Sequence, residues 1–226
     1  MRNKMWILAM CLVLGVTTAW ADAGSTNPNQ FIDPVNWCTN YGCANDYTVF
    51  ATPQAWVSNG GNTGIVGLVG TGQGFYNLQQ GATWNGNMPG GMGLVYNGGL
   101  FGNIPTGIAA QLDQSVSGVG AYIQADYFGP FSATITLFDA LDQAIFSYTA
   151  FGNSDTNTGT ALFLGAYSST PIWAVQFDVV DVYGNDIFAI GTMKLNATPE
   201  PSSLVLFGTS ALGLAGAVRR RLKGVL

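Results

Sequence analysis

Acid–base chemistry in this chain of 226 residues would depend on aspartate, because the other side chains suited to it are nearly absent. The sequence has no histidine, and its only glutamate is Glu200. A serine or cysteine nucleophile activated by histidine is therefore excluded, and a glycoside hydrolase would need two aspartates as acid and base or nucleophile. The candidates are Asp126, Asp139, Asp142, Asp178, Asp181 and Asp186. Most of them lie in predicted turns, where the aspartate side chain forms hydrogen bonds with the neighbouring backbone. We therefore expect no catalytic residues and no enzyme activity. The alternative is a secreted Asp-dependent glycoside hydrolase.

The same aspartates are oxygen ligands of the kind that calcium prefers. Calcium takes about six to eight oxygens, often from Asp, Asn and backbone carbonyls in loops. The stretch 181–186, or Asp139 together with Asp142, offers part of such a set. Neither spacing matches a known calcium loop, so we expect no cofactor and no metal site, and calcium stays an alternative without assigned ligands.

Sugar binding is the activity that the other polar and aromatic side chains favour. The apolar face of a pyranose stacks on an aromatic ring, while amide and carboxylate groups bond its hydroxyls. One segment combines these groups, since Trp84 is accompanied by Gln80, Asn85 and Asn87. We predict that these four residues bind a glycan, and the alternative for Trp84 is a place in the hydrophobic core.

The distribution of charge excludes nucleic acid as a partner. Residues 24–198 hold one lysine and ten aspartates, a net charge of −9. The other basic residues flank two terminal hydrophobic runs. A protein that binds nucleic acid needs a basic patch to neutralise phosphates, and residues 24–198 have none.

The N-terminus is typical of a secretory signal peptide. Arg2 and Lys4 precede an apolar run over residues 5–16, which is too short to span a membrane. Small residues then offer cleavage after Ala23, which we favour, or after Ala21. The sequence therefore predicts a signal peptide over residues 1–23 and an exported domain over residues 24–198.

Export bears on the redox state of the two cysteines that remain after the signal peptide is removed. Cys38 and Cys43 are the only cysteines after the signal peptide. In an oxidising compartment two nearby thiols usually pair, whereas a zinc site would lack about two of its four ligands. We predict a disulfide between Cys38 and Cys43.

The C-terminus predicts a short membrane anchor. Residues 202–218 carry no charge, and they are followed by a basic cluster of Arg219, Arg220, Arg221 and Lys223. This length is at the lower limit for a spanning helix, and the basic cluster predicts a cytoplasmic end. Residues 24–198 are then expected outside the membrane.

The order of features in this tail resembles a known sorting signal. The triplet Pro199, Glu200 and Pro201, the apolar run and the terminal arginines resemble the PEP-CTERM signal of Gram-negative bacteria over residues 199–226. The resemblance implies an exosortase as partner, cleavage near the triplet after transient membrane anchoring, and delivery to the cell surface or extracellular matrix. It also implies association with exopolysaccharide and biofilm. The alternative is a plain single-pass anchor of a structural protein.

Residues 24–198 have the pattern of one β domain. Apolar residues alternate with polar ones over 118–126, 132–137 and 173–179, and Gly-, Asn- and Asp-containing breaks separate these stretches. The pattern predicts an all-β fold, a single jelly-roll-like β-sandwich of about ten short strands. Segments 118–125, 129–135 and 185–191 also resemble a β-sandwich module that is common among PEP-CTERM proteins and mostly lacks an assigned activity.

Overall fold

The computed structural model describes residues 21–35, 48–50, 56–57, 64–69, 75–98, 107–184 and 186–197. The predicted disulfide, the sorting triplet, the basic cluster and residues 1–20 of the signal peptide lie outside the described residues. Within these ranges no helix has the length and apolar character needed to cross a membrane.

The described residues form twelve β-strands and one short 3-10 helix, Pro28–Gln30. The strands are β1 (Ala23–Ser25), β2 (Asp33–Val35), β3 (Thr48–Phe50), β4 (Trp56–Val57), β5 (Gly64–Val69), β6 (Phe75–Gln79), β7 (Gly93–Tyr96), β8 (Ile108–Ala125), β9 (Gly129–Phe138), β10 (Ala144–Ser154), β11 (Leu162–Asp181) and β12 (Phe188–Ala197). The prediction of an all-β fold is confirmed.

Two long strands, β8 and β11, run through two sheets. In the first sheet, β10, β9, the second half of β11, the first half of β8, β5 and β4 follow one another. In the second sheet, β1, the first half of β11, the second half of β8 and β12 are neighbours. The free edge of β12 pairs with β2 at one end and with β7 at the other, and β6 and β3 extend the sheet beyond β7.

Both long strands change sheets at the same level. The register between them shifts on either side of the pairing of Ile172 with Val116. Residues 169–171 are exposed there, as expected where a strand turns a corner through bulges. We call this part of the sandwich the corner end. The opposite part, which holds residues 126–128 between β8 and β9 and residues 182–187 between β11 and β12, is the turn end.

The core lies between the two sheets and follows the alternation in the sequence. Its predicted members are fully or almost fully buried, namely Val119, Ala121, Ile123, Ala125, Ala133, Ile135, Leu137, Val175, Phe177 and Val179. Trp173 was expected on the same face, but it is 37% exposed. The prediction that Trp173 faces the core was wrong, because the strand register shifts between Ile172 and Ala174 and the alternation of inward and outward side chains restarts there.

The expectation of short strands holds for most of the chain and is wrong for β8 and β11. These strands contain 18 and 20 residues. In each, the bulges at the corner end interrupt the alternation, so one bent strand has the pattern of two short ones. The described residues establish the sandwich; the finer jelly-roll topology stays a prediction.

Candidate functional site

A second, smaller apolar cluster covers the outer face of the second sheet at the turn end. Its buried members come from β6, β7, β12 and the segment 80–92 between β6 and β7, namely Tyr76, Leu78, Trp84, Met88, Leu94 and Ala189. Segment 80–92 folds back over the sheet and returns to it where the Gln80 amide donates to the Met92 carbonyl at 2.9 Å. This segment contains all four residues of the predicted glycan site.

Asn87 fixes segment 80–92 to the turn after β10. Its carbonyl accepts hydrogen bonds from the amides of Gly159 at 2.9 Å and Ala161 at 3.0 Å. Its side-chain amide donates to the Asn153 carbonyl at 2.8 Å. Asn87 is only 1% exposed, so its role in the structure is to hold two loops together.

Gln124 of β8 is the acceptor on which this arrangement depends. Its Oε1 atom accepts from the Trp84 indole Nε1 and from the Asn87 backbone amide, each at 3.0 Å. Gly86 passes so close that a Cβ atom there would lie 2.2 Å from the Gln124 side-chain amide. The absence of a side chain at Gly86 therefore lets the loop approach the strand.

The loop and the sheet enclose an open pocket of about 220 Å³. Its lining combines aromatic, amide, hydroxyl and carboxyl groups, supplied by Leu78, Thr83, Trp84, Asn85, Tyr96, Gln124, Asp126 and Phe128. The Trp84 and Tyr96 rings are 5.1 Å apart between centroids and inclined by 57°. Trp84 is 8% exposed, so it presents only part of its ring to the pocket.

Asp126 is the only acidic residue among the described residues that line this pocket. Loss of hydration raises the pKa of the Asp126 carboxyl, a hydrogen bond from the Tyr96 side chain lowers it, and the neighbouring Asp181 carboxylate raises it, with a net upward shift. The pKa of Asp186 is also raised, first by loss of hydration and then by Asp178 and Asp181. The turn end therefore carries carboxylates that repel one another.

The structure divides the four predicted site residues into two pairs. Trp84 and Asn85 line the pocket, whereas Gln80 and Asn87 lie behind it, 5% and 1% exposed. The Gln80 side chain donates to the Gly86 carbonyl and so braces the loop from inside. Sequence reasoning missed Tyr96, Gln124 and Phe128, which come from other elements. A signal existed for Gln124, a polar residue between two apolar ones at the end of β8.

Three of the other aspartates bond the backbone of their own turns. Asp139 Oδ1 accepts from the amides of Leu141 at 2.8 Å and Gln143 at 3.0 Å. Asp181 and Asp155 accept in the same way from the amides two residues later. In the described ranges no three His, Cys, Asp or Glu side chains are grouped as metal ligands, and Asn185 lies outside those ranges.

Comparison with known proteins bears on the C-terminal tail. A family model described as the PEP-CTERM protein-sorting motif matches residues 197–221. The chain carries a PEP-CTERM sorting motif. The resemblance noted in the sequence is thus confirmed, and the motif implies export with a membrane-anchored C-terminus before cleavage. Its first matched residue, Ala197, is also the last residue of β12.

Two further comparisons concern curated proteins and solved structures. No curated protein matches the chain. Among solved structures, a DUF4465 family protein from Bacteroides caccae aligns with a TM-score of 0.40 and 13% sequence identity, over 72% of this chain and 98% of that chain.

Proposed function

We propose that this protein is exported, anchored through its C-terminal segment, cleaved by an exosortase near Pro199, Glu200 and Pro201, and delivered to the surface or matrix of a Gram-negative cell. There the sandwich binds exopolysaccharide through the pocket at the turn end. The observation that carries the binding proposal is the lining of this pocket, where aromatic rings meet amide and carboxyl groups.

The pocket has the chemistry that a sugar requires. Trp84, Tyr96 and Phe128 offer apolar ring surface, and Phe128 is 55% exposed. Asn85 and Asp126 are exposed beside them and offer partners for hydroxyl groups. Trp84 is held by Gln124 and by core packing, and a rigid aromatic ring binds with little loss of conformational entropy.

Charge narrows the class of glycan to neutral or weakly basic polymers. Residues 24–198 carry a net charge of −9, and the Asp126 carboxylate lines the pocket, with Asp181 close enough to interact with it. An acidic polysaccharide would be repelled at low salt, and the repulsion would weaken as the Debye length falls with added salt.

Affinity electrophoresis of the mature protein in gels that contain the polysaccharides of the producing cell tests the binding proposal. We expect retardation, and we expect Asn85→Ala and Asp126→Asn to weaken it without lowering the thermal melt, because both side chains are exposed. Thr149→Ala, an exposed change on the first sheet, is the matched control. Unchanged mobility of the parent protein in every polysaccharide would refute binding and leave a structural role.

Mass spectrometry of the surface fraction tests the sorting proposal separately. The expected main product ends near the triplet and lacks residues 202–218. Replacing Glu200 by Ala should cause the full-length chain to accumulate in the membrane. If intact protein through Leu226 is the main surface species, the tail is a plain single-pass anchor.

One observation favours the rival function, an Asp-dependent glycoside hydrolase. Asp126 has a raised pKa in a pocket, which is a property of general acids. The pocket contributes no second carboxylate, however, and Asp181 is only 6% exposed, so we propose binding without turnover. Hydrolysis of a chromogenic glycoside that Asp126→Asn abolishes would instead establish the enzyme.

A further inference from the structure

Large apolar side chains are exposed mainly at the turn end. Among the described residues, nine such side chains are exposed, and six lie at or near this end. The six are Tyr127, Phe128, Phe151, Val180, Val182 and Tyr183. Exposed apolar residues that cluster, rather than occur singly, indicate an interaction surface.

Two tyrosines of this set contact each other. Tyr127 and Tyr183 are 48% and 72% exposed, and their ring centroids are 5.8 Å apart in an edge-on arrangement at 67°. We call this pair the tyrosine ledge. Because the rings meet edge to face, ring surface on both residues stays open to solvent.

The ledge is held in place by the turn after β11. The Tyr183 amide donates to Asp181 Oδ1 at 2.8 Å, and the Gly184 amide donates to the Asp181 carbonyl at 3.1 Å. Gly184 has a φ of +77°, a conformation that glycine adopts without strain. The backbone beneath Tyr183 is therefore fixed by local bonds.

The ledge is adjacent to the pocket. Tyr127 lies in the chain between Asp126 and Phe128, which both line the pocket. Asp126 of the pocket is also close enough to Asp181, below the ledge, for the two carboxylates to interact electrostatically. A ligand that leaves the pocket across residues 126–128 therefore meets the ledge next.

We propose that the tyrosine ledge is a second sugar-stacking subsite, so that the turn end holds an internal stretch of a linear neutral or weakly basic glycan. This inference rests on the proposed function of the pocket. It adds that the protein distinguishes a polymer from a small sugar by the number of rings that it stacks.

Charge argues for this occupant over the alternatives. Lys194 is the one basic side chain in the described part of the chain, and its ammonium donates to the Pro28 carbonyl at 3.1 Å, away from the turn end. A second copy of the chain would bring its own carboxylates against Asp126, Asp181 and Asp186, and an acidic polymer would do the same. A neutral or weakly basic glycan offers hydroxyl or amino groups to these carboxylates and ring faces to the ledge.

Isothermal titration of the mature protein with two oligosaccharide series tests the ledge. The probes are the disaccharide and the hexasaccharide of β-linked glucose and those of β-linked glucosamine. We expect the hexasaccharide of at least one series to bind more tightly than its disaccharide. Tyr183→Ala should lower hexasaccharide affinity about tenfold, which corresponds to the loss of one stacked ring, and leave disaccharide affinity unchanged.

Three matched variants separate the ledge from the pocket. Tyr183→Phe keeps the ring and should retain parental affinity. Leu141→Ala removes an apolar side chain that is 76% exposed in the turn between β9 and β10 and should change nothing. Asn85→Ala should weaken both lengths equally.

The outcomes distinguish the two proposals. Equal affinity of the parent for both lengths, or the same loss for both lengths in Tyr183→Ala, overturns the ledge and leaves the pocket. No binding of either series by the parent overturns the pocket and the ledge together. A lower thermal melt of Tyr183→Ala would mark the residue as structural and would also overturn the ledge.

Discussion

The two ends of the sandwich use the same kinds of polar residue for different purposes. At the corner end, Asn196 accepts from the Ile32 amide at 3.1 Å and donates to the Gln30 carbonyl at 2.9 Å, and Asp22 accepts from the Ser169 amide at 2.8 Å. At the turn end, Asn85 and Asp126 face an open pocket. At the corner end these polar groups bond neighbouring segments, whereas at the turn end Asn87 and Gln124 do so and Asn85 and Asp126 also line a pocket.

Asp22 at the corner end and the aspartates Asp126 and Asp186 at the turn end differ in the direction of their pKa shifts. Hydrogen bonds from Ser169, chiefly from its backbone amide, lower the pKa of Asp22 at the corner end, while loss of hydration raises the pKa of Asp126 and of Asp186 at the turn end. Asp22 and Asp126 are therefore held in opposite electrostatic environments.

The largest effect is expected from Gln124, which joins the pocket to the core. Gln124→Leu leaves the Trp84 indole N–H and the Asn87 amide without their acceptor, and each unpaired buried donor costs about 1–3 kcal/mol. We expect the free energy of unfolding to fall by about 3 kcal/mol in urea denaturation. Gln111→Leu, an exposed change on the same strand, is the control. Equal stability of Gln124→Leu and the parent would show that water satisfies both donors.

A smaller effect is expected when Asn196 is removed from the corner end. Asn196→Ala breaks two hydrogen bonds between β12 and the segment before β2, so we expect a loss of about 1–2 kcal/mol and unchanged glycan binding. Asn85→Ala at the turn end should show the reverse, with parental stability and weaker binding. If Asn196→Ala also weakens binding, the two ends are coupled.

Asp22 and Asp126 should make contributions of opposite sign to the pH dependence of the free energy of unfolding. The lowered pKa of Asp22 means that its ionised form stabilises the fold at neutral pH, and that this contribution is lost as the pH falls through the folded pKa. The raised pKa of Asp126 means that its ionised form costs stability above that pKa, and that the cost disappears as the pH falls through it. Carboxyl NMR titration should find Asp126 and Asp186 above their ordinary pKa and Asp22 below it, and the reverse order would contradict the comparison.

Two variants test whether the ionised Asp126 carboxylate lowers the stability of the fold. Above its pKa, Asp126→Asn should be slightly more stable than the parent, and the difference should vanish in acid. Asn85→Ala, which removes no ionisable group from the same pocket, should show no such pH-dependent gain. Thermal melts over a pH series measure both.

The smallest effect concerns the new N-terminus after export. The sequence favoured cleavage after Ala23, which would remove Asp22 and its bonds to Ser169, whereas cleavage after Ala21 keeps them. We therefore expect the mature chain to begin at Asp22, and the mass of its N-terminal peptide decides this. A chain that begins at Gly24 should melt slightly lower, by at most about 2 °C.

Local patterns were sufficient to predict much of this fold. The alternation over 118–126 and 132–137 identified the core-facing residues of the second half of β8 and of β9. The corner was missed because bulges are set by the pairing of β8 with β11, about 50 residues apart. The sequence shows where the alternation of apolar and polar residues is interrupted, but it does not show that one strand continues through the interruption.

The candidate site was predictable only in part, because several of its residues come from distant parts of the chain. Trp84 and Asn85 were found because they lie in one polar, aromatic segment. Gln124 lies 40 residues further along the chain, and Tyr96 and Phe128 join the pocket only when β7 and the turn after β8 are in place. Whether Gln80 or Asn87 faces a ligand or the protein depends on how segment 80–92 folds back, which pattern alone does not reveal.

Strand β12 also sets the distance between the turn end and the sorting motif. It runs from Phe188 at the turn end to Ala197 near the corner end, and one residue, Thr198, separates it from the sorting triplet. Ten strand residues span about 33 Å. The turn end therefore lies about the length of this strand away from Ala197, the residue at which the sorting motif begins.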